Sequence, residues 1–225
     1  MSMPFYVPPE QVMKDRAEFA RKNIARGRPL VAGSFAGGIL ICAENQQILH
    51  KISEIYDKIA FAGVGRYSEF DSLRIAGIRA ADLKGYSYSR EDVDARSLAN
   101  QYAQILNNVF THEMKPMEVE ILVAEVGAAP DRDEYYRIPY DGSIVDEQQY
   151  AALGGEAEAI AERLASSWNI EADLPTALKA AVKALAGTDD RTLGAAELEC
   201  AVLERNNGRR AFRRIEDDEV TQLLG

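Results

Sequence analysis

Cysteine, histidine and basic charge are all scarce in this chain of 225 residues. Its two cysteines, Cys42 and Cys200, cannot complete a four-ligand zinc site between them. Each stands in an apolar stretch, at residues 39–42 and 198–202, where a free thiol packs as a small hydrophobe. His50 and His112 lie far apart with no ligand spacing around either, so neither a metal centre nor histidine catalysis is expected. Lysine and arginine number 26 against 36 acidic residues, a net charge of −10. That balance argues against nucleic acid as the main partner, because phosphate binding draws on clustered cations. No apolar run approaches the ~18–20 residues that span a bilayer. The first residues, MSMPFYVPPEQ, carry neither the basic n-region nor the apolar h-region of a secretory signal. The expectation is a cytoplasmic protein with no membrane partner and no cofactor.

What is present is ordinary material for a core: 47% hydrophobic and 28% charged residues. No repeat or linker divides the chain, so residues 10–225 read as one domain behind an arm over residues 1–9. Three prolines, Pro4, Pro8 and Pro9, keep that arm extended or turning. Met13, Ala17, Ala20 and Ile24 recur at helical spacing, widened by Val12 and Phe19, and predict a helix within residues 10–27, capped by Gly27 and stopped by Pro29. Strands follow at residues 30–35 and 38–43 around Ala36-Gly37-Gly38, then strand material over 52–62 that ends in Gly63-Val64-Gly65.

Phe70, Leu73, Gly77 and Ala81 give one face of a helix that Gly85-Tyr86-Ser87-Tyr88 should break. Ser89-Arg90-Glu91-Asp92 reads as the capping box of a second helix, with Leu98, Tyr102, Ile105 and Val109 on its face. Residues 119–126 are almost wholly apolar, as in a strand covered on both sides. Strands are expected again at 135–140 and 150–153. A helix with Ile160, Leu164 and Trp168 should follow, then one with Leu174, Ala177, Leu178, Ala181, Val182 and Leu185 between Asp173 and Gly187. Closing strands near 197–203 and 211–215 precede an acidic tail over 216–225. Helices arriving in pairs between groups of strands predict an α+β fold, a four-layer αββα sandwich of two mainly antiparallel sheets with helix pairs outside, plus the N-terminal helix.

Four segments in this order resemble the α-subunit family of the proteasome core, of the actinobacterial type, over about residues 8–215. Glu18-Phe19-Ala20-Arg21 with Ile24-Ala25-Arg26-Gly27 is similar to the family's N-terminal helix, and residues 31–44 to its first hairpin. Residues 51–59 followed by 63–65 are similar to its next strand pair, and Lys115-Pro116 with residues 118–126 to the strand after its long helix pair. The resemblance implies an N-terminal-nucleophile hydrolase fold in a non-catalytic subunit of a seven-membered ring. That ring stacks on threonine-protease β subunits and admits unfolded protein substrates. The arm, with Pro4, Phe5, Tyr6, Val7, Pro8 and Pro9, would gate the ring. It departs from the Tyr-Asp-Arg triplet of archaeal and eukaryotic relatives, so their latch does not transfer. Lys51 falls where catalytic siblings keep an active-site lysine. In α subunits it implies a pocket for the C-terminal tail carboxylate of an ATPase or ATP-independent activator ring, with Gly27, Gly65 and Arg66 beside it.

Catalysis in such a fold needs a Thr, Ser or Cys whose own α-amine begins the first core strand and serves as base. Here that strand starts near Arg28-Pro29-Leu30, behind a helix and an arm, and no threonine precedes Thr111. No catalytic residue is therefore expected. The competing reading is a free-standing N-terminal-nucleophile hydrolase processed at Ser34 or Ser2. Gly63-Val64-Gly65-Arg66-Tyr67-Ser68 imitates a dinucleotide fingerprint, but it lacks the third glycine and leads into helices rather than a strand ending in a ribose ligand.

Overall fold

A proline pair sets where regular structure begins. In the computed structural model, which describes residues 8–46, 48–187 and 191–225, Pro8 is the N-cap and Pro9 the first residue of helix α1 (Pro9–Ile24). Proline suits that first position because its missing amide would have had no intrahelical partner. Pro9 thus belongs to the helix rather than to the arm. The predicted apolar stripe divides in two: Ala20 and Ile24 are buried, whereas Val12, Met13 and Phe19 stay exposed.

The chain then builds β1 (Leu30–Phe35), β2 (Gly38–Glu44), β3 (Ile52–Tyr56) and β4 (Ile59–Gly65). The strand material over 52–62 is a pair of strands, turned at Asp57-Lys58. After α2 (Tyr67–Ser87) and α3 (Ala95–His112) come β5 (Val119–Glu125), β6 (Glu134–Ile138), β7 (Val145–Glu147) and β8 (Tyr150–Leu153). Helices α4 (Ala157–Ser167) and α5 (Leu174–Ala186), strands β9 (Leu198–Glu204) and β10 (Phe212–Ile215), and helix α6 (Asp217–Leu224) complete it. Strand β7, only three residues long, carries no legible alternation.

Both sheets are five-stranded and antiparallel throughout, in the orders β10-β9-β2-β1-β8 and β3-β4-β5-β6-β7. Their facing sides bury Ala32, Ile39, Ile41 and Ala201 of the first sheet against Ile52, Ala62, Leu122 and Ala124 of the second. The outer side of the second sheet packs Phe61, Ile121 and Val123 under Leu73 of α2 and Leu98 and Leu106 of α3. The outer side of the first packs Val31, Leu40 and Val202 under Ile160, Leu164, Leu178 and Leu185 of α4 and α5. Strands covered on both sides explain the nearly continuous apolar runs, and each large aliphatic side chain so buried contributes ~1.5–3 kcal/mol. The four-layer αββα sandwich is the observed architecture.

Several local readings are corrected. Helix α2 runs through Gly85, which does not break it; a Cβ there would lie 2.1 Å from the Tyr56 hydroxyl, so this glycine serves close packing. Ser89 caps a separate short turn at Arg90–Asp92, and α3 starts later, capped by Asp94, whose carboxylate accepts from the Ser97 amide at 2.7 Å. The buried face of α3 is Leu98, Ala99, Tyr102, Ala103 and Leu106, which leaves Ile105 exposed and Val109 only half-buried. The acidic tail is the first turn of α6: Asp217, Asp218 and Glu219 sit at the positive end of a helix that buries Val220.

Candidate functional site

The approach to β1 is built from two close glycine contacts. The Gly27 amide donates to the Ile24 carbonyl at 2.8 Å and ends the turn after α1. A Cβ on Gly27 would stand 2.5 Å from Val64 Cγ1 and 3.2 Å from the Gly65 nitrogen, so this junction lies directly against the end of β4. Gly65 itself has φ +111°, and a Cβ there would meet the Glu118 carbonyl oxygen at 2.0 Å. Only glycine satisfies both the conformation and the space.

Lys51 lies just before β3. Its carbonyl accepts the Gly63 amide at 3.1 Å, which extends the β3–β4 pairing by one residue. Its ammonium donates to the carbonyls of Arg28 (2.9 Å) and Glu44 (3.0 Å), at the lead into β1 and the end of β2. An ammonium carries three donors, and two of them are thus spent on neutral oxygens. Burial pushes the amine down to about 8, with the nearby Glu199 and Glu44 carboxylates raising it and Arg28 lowering it. Glu44, itself buried, holds Arg28 at 2.8 Å and Arg191 at 2.6 Å.

The Arg66 amide donates to the Glu118 carbonyl at 2.9 Å, beside Gly65. Its half-exposed guanidinium is engaged by the Glu118 carboxylate at 2.9 Å and by Glu69 at 3.6 Å. Lys115 pairs with the same two carboxylates. Gly27, Lys51 and Gly65 therefore converge around the start of β1, while Arg66, next to Gly65 in the chain, turns its side chain to Glu118 and Glu69. Of the arm, Pro8 and Pro9 form the start of α1, while Pro4, Phe5, Tyr6 and Val7 lie outside the described residues.

Ser34 is fully buried near the end of β1, paired with Ile39 of β2. Its hydroxyl is 2.7 Å from that of Tyr135 across the inter-sheet core, and its carbonyl accepts from Trp168 Nε1 at 3.0 Å. A chain beginning at Ser34 would lose Leu30, Val31, Ala32 and Gly33, which pair with both β2 and β8. Ser2 lies outside the described residues. Cys42 and Cys200 face each other across β2 and β9, both buried, and burial together with their mutual contact raises the Cys42 thiol well above its usual range. That disfavours the nucleophilic thiolate. Among the described residues no helix is long and apolar enough to cross a membrane.

A cleft of about 940 Å³ lies elsewhere, between the end of α1, the β6–β7 connection and the start of α4. It is lined by residues that include Arg21, Glu120, Arg137 and Tyr140, and by none of the predicted site residues. What the sequence reading missed are the carboxylates that frame Lys51, Glu44 and Glu199. Glu199 had a signal: it shares the inward side of β9 with Ala201 and Leu203, so a charge there must be buried and paired.

A family model described as "Proteasome subunit" matches residues 24–203. A protein named proteasome subunit alpha from Acidimicrobium ferrooxidans is 59% identical over 226 residues, which cover 100% of this chain and 97% of that relative. Proteins of the same name from Xylanimonas cellulosilytica and Sanguibacter keddieii are 55% and 54% identical, again over 100% of this chain and over 97% and 90% of theirs.

Proposed function

The chain belongs to the proteasome subunit family, on its α side, and from that premise we propose that it is a non-catalytic ring subunit that gates the core particle and docks its activators. In this reading seven copies close a ring that rests on rings of threonine-protease β subunits, in the cytoplasm. The arm that precedes α1 crowds the axial channel through which unfolded substrates pass. The exposed Val12, Met13 and Phe19 of α1 supply apolar surface for neighbouring subunits to cover.

The observation that carries the docking role is the Lys51 ammonium, fixed by two neutral carbonyls with one donor left uncommitted among the described residues. A half-desolvated cation so held suits an incoming carboxylate, because charge-assisted hydrogen bonds strengthen as water is excluded. The glycine contacts at Gly27 and Gly65 keep the adjacent backbone bare of side chains, and Arg66 adds a second cation beside them. Opening follows if a tail binds the open arrangement of the arms better than the closed one. The lack of an intrinsic active site rests on the lead into β1, where Arg28 continues from α1 and pairs with Glu44 in place of a free α-amine.

Native mass spectrometry of the tagged chain purified from its own host tests the reading. A particle of several hundred kilodaltons with a second subunit that begins with threonine is expected. A monomer with a trimmed N-terminus would overturn it.

A further inference from the structure

A buried carboxylate on the opposite sheet holds Lys51 by its backbone. Glu199 lies on β9, paired with Ala43 of β2, and only 7% of it is exposed. A carboxylate in such a place is tolerated only when hydrogen bonds replace its water. Glu199 Oε2 accepts the Lys51 amide at 2.8 Å and Asn45 Nδ2 at 2.8 Å. Its Oε1 accepts the Ile52 amide at 3.1 Å and Arg214 Nη1 at 2.6 Å, with His50 Nδ1 at 3.3 Å. Arg214 also donates to the Ile52 carbonyl at 2.8 Å, so Ile52, the first residue of β3, is gripped by both its amide and its carbonyl. These bonds cross between sheets, because β3 is the outer strand of the second sheet and β9 belongs to the first.

We propose that Glu199 is the positioning residue of the Lys51 site: it fixes the backbone from which the ammonium reaches the Arg28 and Glu44 carbonyls, and its negative charge keeps that ammonium ready for a peptide carboxylate. The proposal rests on the docking role assigned to Lys51. The charged and titratable groups that face Lys51 are Arg28 at the lead into β1, Glu44 on β2, His50 beside it, Glu199 on β9 and, through Glu199, Arg214 on β10. Arg191 acts through Glu44. Glu199 heads the carboxylates that hold the amine up against burial. Removing its charge without changing its shape therefore moves Lys51 toward the neutral form.

The test uses the full chain assembled with its partner subunit, and the variant Glu199→Gln. Partial acetylation of Lys51, read by peptide mass spectrometry from pH 6 to 10, reports the protonation midpoint of its amine without any reference to docking. Binding of a synthetic peptide with a free C-terminus, against its amidated twin, reports docking. In Glu199→Gln the acetylation midpoint should fall by about 1 pH unit. The free-acid peptide should bind roughly 5-fold more weakly at pH 8 and regain most of that at pH 6, where the amine is charged again. An unmoved midpoint, whatever happens to binding, would make Glu199 merely structural and overturn the proposal. If Glu199→Gln fails to assemble, Arg214→Met reads the same linkage in the other direction: with its competing cation gone, Glu199 should raise the midpoint, and an unmoved midpoint again overturns it. Equal binding of the acid and amide peptides to the unmodified protein would sink the docking role instead, and the acetylation profile would still decide the part played by Glu199.

Discussion

The Lys51 ammonium donates to the carbonyl of Arg28 at 2.9 Å, at the point where the polypeptide passes from α1 into β1. A hydrolase of this architecture needs a free α-amine at that point. Here a continuous peptide chain takes its place, and the lysine is bound to that chain. In the proposed reading, the same contact holds the lysine in place as a receptor for a foreign carboxylate.

Replacing Lys51 with alanine should leave assembly and basal peptide hydrolysis intact while activator-dependent degradation is lost. A hydrogen bond to a charged group is worth ~1.5–3 kcal/mol, so tail affinity should drop roughly 10- to 100-fold. Titration of the assembled variant with a free-acid tail peptide checks this, and an unchanged affinity would remove Lys51 from the docking site.

Docking should also weaken as pH rises through about 8, where the buried Lys51 amine loses its proton. The sign follows from burial: the amine is held below its ordinary value, so its charge is lost earlier than that of a solvated lysine, while the peptide carboxylate stays ionised throughout. Affinities measured from pH 6.5 to 9.5 should be flat at first and then decline. A flat line to pH 9.5 would contradict a Lys51-centred site.

Deleting residues 2–8, which stops short of α1, should raise peptide turnover by the assembled particle without altering its mass beyond the deletion. Steady-state hydrolysis of a short fluorogenic peptide reads this directly. If the rate does not change, the arm is not the barrier.

Ser34→Ala separates core packing from catalysis. The change removes the 2.7 Å contact with Tyr135 and strands a buried phenol, which costs ~1–3 kcal/mol. Removing both partners, in Ser34→Ala with Tyr135→Phe, should recover most of that loss. Activity per assembled particle should be unaffected in either variant. A fall in hydrolysis out of proportion to the fall in thermal stability would revive Ser34 as a nucleophile.

The long periodic segments were legible because their physics is local. Leu174 to Leu185, between the Asp173 cap and Gly187, could be read directly from helical spacing, as could β1 and β2 around Gly37-Gly38. Misreadings gathered where a tertiary contact overrides a local signal. Gly85 looks like a break and is a packing contact with Tyr56, and Ser89 imitates a cap that Asp94 provides. Strand β7 exists only because β6 offers it a ladder.

By itself the sequence determined the apolar periods and their order, hence the pairing of helix layers with sheets, and through its family resemblance it pointed to Lys51, Gly27, Gly65 and Arg66. What only the tertiary structure decided is how those residues meet. Glu199 stands 148 positions from Lys51, yet its carboxylate lies 2.8 Å from the Lys51 amide, because two sheets stacked face to face bring the start of β9 beside the start of β3. Periodicity records which side of a strand faces the core. It carries no record of which distant strand arrives there, because that choice is made by the packing of the whole chain.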